Sequence, residues 1–144
     1  ISRGLVGSEM CIRDSSKEEA EKTLIENKIV ILVGGLGNPL FTTDSTASVR
    51  AVELNSDIML KATTVDGIYS DDPKINKKAI KYDFLTFDEA ITKNLKVMDQ
   101  TSLCFCRDNN LDVRVFNADS QGAILEAISN ENTKIGTLVR LKND

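Results

Sequence analysis

The 144-residue chain contains no histidine. Any proton transfer or charge stabilisation it performs must come from lysine, arginine, carboxylates, hydroxyls, backbone amides or a metal. Cysteine is nearly as scarce. Cys11, Cys104 and Cys106 form no paired framework, and a Cys-x-Cys without histidine is a poor zinc or iron site. Cys104 and Cys106 therefore read as small apolar packing residues. No apolar run approaches the length of a bilayer-spanning helix, and the N-terminus has no signal-peptide core. An excess of positive charge is also lacking: 22 acidic against 18 basic residues leave a net charge of −4. That balance offers no electrostatic footprint for nucleic acid or an anionic membrane. The expectation is a cytoplasmic protein that engages neither.

What the chain does have is 41% hydrophobic content, arranged as alternating strand and helix patterns. Lys28-Ile29-Val30-Ile31-Leu32-Val33 is a continuous apolar, β-branched run, as in a strand covered on both faces. Downstream, Thr42 or Thr43 can cap a helix that starts near Asp44 and carries Ala47, Ala51, Val52 and Leu54 toward a core. Between them lies Gly34-Gly35-Leu36-Gly37-Asn38-Pro39-Leu40-Phe41. Three glycines let the backbone approach a ligand closely. Free amides at the helix N-terminus, with two threonine hydroxyls, suit a phosphate. An ordinary strand-to-helix turn reads equally well from spacing alone. If the loop binds, then Gly37, Asn38, Thr42 and Thr43 should line one pocket at the end of the strand that finishes at Val33.

The other elements follow the same alternation. Ser16 can cap a helix over Lys17 to Asn27, with Ala20, Leu24 and Ile25 on one face. Asp57 to Ala62 reads as a second buried strand, and Val65 to Tyr69 as a sharp turn at Asp66-Gly67. Lys74 to Lys81 is a charged loop. Thr86 and Glu89 form a capping box for a helix through Leu95. A helix from Asp99 to Asn109, a strand over Val113 to Phe116, a helix over Gln121 to Ile128 and a strand over Gly136 to Val139 complete the chain. Strands alternating with helices imply an α/β fold with a mainly parallel sheet.

Gly34 to Asp44 resembles the GGTGNPFFTTD segment of bacterial uridylate (UMP) kinases of the amino-acid-kinase superfamily. Leu60-Lys61-Ala62-Thr63-Thr64-Val65-Asp66-Gly67-Ile68-Tyr69 followed by Asp72-Pro73 is similar to that family's LKATKVDGVY…DP signature. Leu95 to Asp99, Cys106 to Asn110, Val113 to Asn117 and Ile135 to Val139 follow in the family's order. The resemblance implies a three-layer α/β/α sandwich, the amino-acid-kinase fold, of which residues 16–144 are the C-terminal portion with the N-terminal half missing. It runs from about Ser16. Residues 1–15 fit neither the family nor a periodic pattern, and resemble a translated sequencing adapter. They are expected to be foreign or disordered.

The reaction implied by the resemblance is transfer of the ATP γ-phosphoryl group to UMP, giving UDP and ADP, with Mg²⁺ accompanying ATP. Positions matching the family's UMP loop are Leu36, Gly37, Asn38, Pro39, Leu40, Phe41, Thr42 and Thr43. Leu36 and Leu40 depart from the usual threonine and aromatic. Asp44 is implied as a catalytic carboxylate that organises a lysine or Mg²⁺; its plainer role is to complement the helix dipole. Thr63, Tyr69 and Asp72 fall where the family binds ATP. Lys61 can reach a phosphate or extend to solvent, Asp99 is a further active-site candidate, Asp66-Gly67 reads as turn chemistry, and Arg107-Asp108 as a local or intersubunit charge pair. The family assembles as a homo-hexamer. Its lysine-containing KxSGE-like loop has no counterpart here, so the chain by itself is expected to be inactive. The alternatives are a non-catalytic nucleotide-binding fragment or another member of the superfamily.

Overall fold

The computed structural model of the chain describes residues 17–130 and 133–142. The expectation for residues 1–15 and the capping role of Ser16 lie outside the described residues. In chain order the elements are α1 (Lys17–Ile25), α2 (Thr43–Glu53), β1 (Ile58–Thr63), β2 (Ile68–Tyr69), β3 (Lys81–Tyr82), β4 (Phe84–Thr86), α3 (Phe87–Thr92), α4 (Gln100–Asp108), β5 (Asp112–Asn117), α5 (Ala123–Ser129) and β6 (Thr137–Arg140).

Four strands form a sheet in the order β1-β5-β6-β4, and β2 and β3 make a separate antiparallel ribbon. β1 runs parallel to β5, with Lys61 opposite Val115. β4 runs parallel to β6. The central β5–β6 pair is antiparallel, so the sheet is mixed but mostly parallel.

Side-chain alternation along the strands builds a layer on each face. Met59, Val113, Val115 and Val139 point into a core shared with Leu85, Phe87, Leu103 and Cys106 from the α3–α4 side, with Ala51 and Val52 of α2 packed against it. Leu60 and Phe116 point the other way, toward Ala123 and Ala127 of α5. Helices therefore cover both faces, as a three-layer sandwich requires.

The local signals explain where helices stop. Among the described residues, Asn27, Asn55, Asn94 and Asn110 are the non-glycine residues with positive φ, between 48° and 57°, and each stands two residues past the end of a helix, α1 to α4 in turn. Asparagine tolerates the left-handed conformation that closes a helix C-terminus. At the other ends, Thr42 caps α2, Asp99 caps α4, and Thr86 with Glu89 forms the capping box of α3.

One expectation is corrected. Lys28 to Val33 is extended but belongs to no ladder. Ile29 is 91% exposed and Ile31 77%, whereas Val30 and Leu32 are half-buried. β-branched residues favour extension, but a strand exists only where a neighbour completes its hydrogen bonds. The apolar face expected on α1 is likewise largely bare, with Ala20 buried and Leu24 and Ile25 exposed. Of the short strands, β2 lies within what read as a turn, β3 starts at the last residue of the charged loop, and β4 falls where the sequence pattern assigned no element.

Candidate functional site

The site is organised around the N-terminus of α2. α2 lies over β1 so that Met59 meets Ser48, whose Oγ is 3.7 Å from its sulfur. Two residues on, on the same side of the strand, the Lys61 ammonium donates to Asp44 Oδ2 at 2.5 Å. The strand thus ascends past α2 toward the helix start. Both partners are partly buried, their side chains 23% and 26% exposed. Asp44 sits in the first helical turn, where the helix dipole already favours a carboxylate.

Asp99 ties this end to α4. Its carboxylate accepts from the Thr42 hydroxyl at 2.5 Å, from Ser45 Oγ at 3.2 Å, and from Ser102 through both N–H (2.9 Å) and Oγ (2.7 Å). Burial would raise its pKa, but the combined donors from Thr42, Ser102 and Ser45 outweigh burial and hold it down at about 2. A carboxylate so fully occupied acts as a clamp. It fixes Thr42, and through it the exit of the glycine-rich loop. Behind the clamp, Ser45, Ser48, Ser102 and Cys106 form a seam of small residues between α2 and α4. Ser102 Oγ lies 3.3 Å from Ser45 Oγ, and Cys106 Sγ donates to Ser48 Oγ at 3.3 Å. Cys106 is fully buried, and Cys104 only partly so.

The loop itself is held by Asn38, whose Oδ1 accepts from the Leu40 N–H at 3.0 Å while its carbonyl accepts from the Phe41 N–H at 3.2 Å. Gly37 has φ +69° and nothing within 4 Å of where a Cβ would stand. Its glycine serves the backbone conformation, and the space beside it is open. Leu36 is half-buried, while Gly37, Asn38, Pro39, Leu40, Phe41, Thr42 and Thr43 are exposed. Thr43 lines a groove of about 470 Å³ with Gly34, Gly35 and Thr46, and Gly37, Asn38 and Thr42 are not among the residues lining that groove.

Two of the three residues of the second expected site share one cavity. Tyr69 and Asp72 line a cavity of about 440 Å³ with Val65, Pro73, Lys74 and the Lys93–Lys96 turn. The Tyr69 hydroxyl donates to Asp66 Oδ1 at 2.8 Å, and that hydrogen bond, with burial and the Asp66 charge, raises its pKa. Asp72 Oδ1 accepts from the Lys74 N–H at 2.8 Å, closing the turn at Pro73. Thr63 does not line this cavity. Its hydroxyl is engaged with the Val65 N–H and C=O in a local turn. Lys81 approaches Asp66 at 3.7 Å, in keeping with a structural role for Asp66-Gly67. Arg107 pairs with Asp108 at 2.9 Å and with Asp88 at 3.3 Å, so it is a local link between α3 and α4.

Thr42, Asp44 and Asp99 thus share one end of α2, joined by Lys61. Sequence reasoning assigned Asp44 a lysine or Mg²⁺ to organise without identifying the lysine as Lys61, and it held no sign of the clamp by Ser45 and Ser102. For Lys61 a signal existed: a lysine inside an otherwise apolar strand is out of pattern.

Architecture and site together define the class, a three-layer α/β/α domain whose glycine-rich loop opens onto a helix N-terminus. Residues 1–117 match the amino acid kinase family, and the chain belongs to that family. Within it, the chain is 48% identical over 120 residues to the uridylate kinase of Alcanivorax borkumensis, covering 83% of this chain and 47% of that one. It is 49% identical over 123 residues to the uridylate kinase of Coxiella burnetii, covering 85% and 50%. Its structure matches that of UMP kinase from Bacillus anthracis with a TM-score of 0.84 at 39% identity, over 89% of this chain and 52% of that one. The chain spans about half the length of the curated relatives it matches.

Proposed function

We propose that the chain supplies one wall of a UMP kinase active site, with the acceptor UMP at the loop Leu36 to Thr43 and ATP at the cavity bounded by Tyr69 and Asp72. The observation that carries this reading is the junction at α2. A glycine-rich loop with open space beside Gly37 ends on Thr42, which Asp99 holds in place, next to an Asp44–Lys61 pair. Its likeness to uridylate kinases supports the choice of substrate.

Phosphoryl transfer between two anions needs alignment and positive charge more than covalent help. The first two helical N–H groups of α2 have no intrahelical acceptor and are suited to a phosphate. Tyr69 offers a ring face and Asp72 a carboxylate to the other nucleotide. Among the described residues no cluster of three or more acidic, histidine or cysteine side chains could cage a metal. Mg²⁺ borne on ATP keeps several waters and uses one or two protein carboxylates. Asp44, with one oxygen engaged by Lys61, is the residue that fits. When bound, the ion would offset phosphate charge.

The 144 residues contain no KxSGE-like lysine loop, so the chain by itself binds without appreciable turnover. Removing a preorganised donor costs roughly a hundredfold or more in rate. Purified chain mixed with ATP, Mg²⁺ and UMP is followed for ADP by a coupled assay. The expected result is no UMP-dependent rate above background. Turnover at ordinary enzyme rates would show that the lysine loop is dispensable and this division of labour wrong.

A further inference from the structure

We infer that Thr137 is a positioning residue for the adenine nucleotide, its buried hydroxyl joining the two walls of the cavity at Tyr69 and Asp72. The inference rests on the ATP reading of that cavity and adds to it a residue that does not line it.

Thr137 opens β6 and is fully buried. Such a strand position suits valine, which has the same shape and no hydroxyl to satisfy. Here the hydroxyl is used twice. Oγ1 accepts from the Ile68 N–H at 2.8 Å and donates to the Tyr82 carbonyl, and these two residues stand opposite each other in the β2–β3 ribbon. The surroundings make room for it. A Cβ on Gly67 would stand 2.6 Å from Oγ1, so the residue before Ile68 is one that leaves the hydroxyl its space. On the other side the Arg114 guanidinium, of a residue 5% exposed, donates to the Ile135 carbonyl at 3.0 Å and holds the approach to Thr137.

Each of the two hydrogen bonds leads to one wall. Side chains alternate along a strand; Ile68 is buried in the main core, so Tyr69 turns the other way, to the cavity. Tyr69 is then fixed at two points, its backbone beside the Ile68–Thr137 bond and its hydroxyl on Asp66 at 2.8 Å. Tyr82 leads to the opposite wall. The Lys93 ammonium lies over its ring, 5.2 Å from the centre, and Lys93 lines the cavity with Leu95 and Lys96. Apolar burial of Ile68 is non-directional and leaves the ribbon free to slide, whereas the hydroxyl fixes its register. One buried group therefore sets the gap between Tyr69 and the Lys93 turn.

The test uses the full 144-residue chain with three variants. Thr137→Val removes the hydroxyl at nearly constant shape, Thr137→Ser keeps it, and Ala127→Gly weakens the fold from α5, on the opposite face of the sheet. Affinities for ATP with Mg²⁺ and for UMP are measured by ligand-observed NMR. The ribbon is followed by fluorine NMR of fluorotyrosine, because the 2 tyrosines of the chain are Tyr69 and Tyr82; a Tyr82→Phe spectrum assigns them. In Thr137→Val the Tyr69 resonance should shift or broaden, and ATP affinity should fall about fivefold with UMP affinity unchanged, the effect of losing one buried hydrogen bond. Thr137→Ser should restore both. Ala127→Gly should lower the thermal midpoint and leave both affinities and the Tyr69 resonance at wild type. By reciprocity, ATP should also slow hydrogen exchange at the Ile68 amide of wild type, a measurement that needs no variant. A wild-type Tyr69 resonance in Thr137→Val overturns the inference. So does intact ATP affinity in Thr137→Val, an equal loss of ATP affinity in Ala127→Gly, or Ile68 exchange that ATP leaves unchanged; all four leave the ATP reading of the cavity standing. If wild type does not bind ATP, or binds it without moving the Tyr69 resonance, that reading falls and the inference with it.

Discussion

Asn38 and Asp72 belong to opposite ends of the proposed reaction, and each is engaged by its own loop rather than by the core. Asn38 turns its oxygen back on the Leu40 amide, and Asp72 on the Lys74 amide. Truncating either removes a loop brace and a ligand contact at one end only. Asn38→Ala is expected to weaken UMP more than ATP, and Asp72→Ala to do the reverse, measured by parallel titrations. Equal loss of both ligands in either variant would mean the two loops do not divide the nucleotides. Asp99 makes a different prediction, in pH. Its folded pKa lies at about 2, below an ordinary 3.8. A lowered pKa means that its contribution is fully present above about pH 4 and fades as the pH falls toward 2. The shift, discounted for solvent screening of a partly exposed group, corresponds to about 1 kcal/mol. Chemical denaturation of wild type between pH 5 and 2 should lose that amount relative to Asp99→Asn. Parallel pH profiles for the two proteins would show that the clamp carries no charge-dependent stability.

At the scale of the element, termination is written in asparagines and one glycine. Asn94 holds φ +48° just after α3. Asn94→Ala should cost about 1 kcal/mol, because alanine lacks the local hydrogen bonding that eases the left-handed conformation, whereas Asn94→Gly should be near neutral. The pair is compared by urea midpoints; equal losses would refute a conformational cause. Gly136, entering β6, is under a stricter demand. It has φ +74°, and a Cβ there would stand 2.1 Å from the Val115 carbonyl oxygen and 2.8 Å from Phe116 Cβ. Backbone cannot yield as a side-chain tip can, so Gly136→Ala should destabilise by about 3 kcal/mol, read from the same midpoints. Wild-type stability would mean that the β5–β6 register shifts to accommodate it. The register matters because Thr137 Oγ1, one residue on, accepts the Ile68 N–H and donates to the Tyr82 carbonyl, which ties the β2–β3 ribbon to the main sheet.

For the whole molecule, the decisive surface is the segment from Lys28 to Val33. Ile29, Ile31 and Val33 project on one side with 91%, 77% and 44% exposure, and the backbone has no ladder partner. Unpaired extended backbone with an apolar face is a template for association. Ile29→Lys with Ile31→Lys should shift purified chain toward monomer in sedimentation velocity, because the two charges resist burial and edge pairing. An unchanged distribution would place the sticky surface elsewhere, with Ile124, Leu125 and Ile128 on α5 the next exposed apolar group.

The chain by itself determined its class, its capped helices and most of its buried strands. These follow from short-range physics: Thr42 reaches the amide of Ser45, Glu89 reaches back to Thr86, and β-branched runs favour extension whatever surrounds them. Tertiary structure alone decided whether an extended run became a strand. Val113 to Phe116 found β1 and β6 on its two edges; Lys28 to Val33, with an equally strong local signal, found neither. It also decided the antiparallel entry of β6, the closure of Lys81 to Tyr82 onto Ile68 to Tyr69, and the partners of the charged residues. Asp44 meeting Lys61 across 17 positions, and Asp99 meeting Thr42 across 57, depend on how helices lie on strands. No periodicity encodes that, because each pairing arises from the packing of surfaces brought together by the fold.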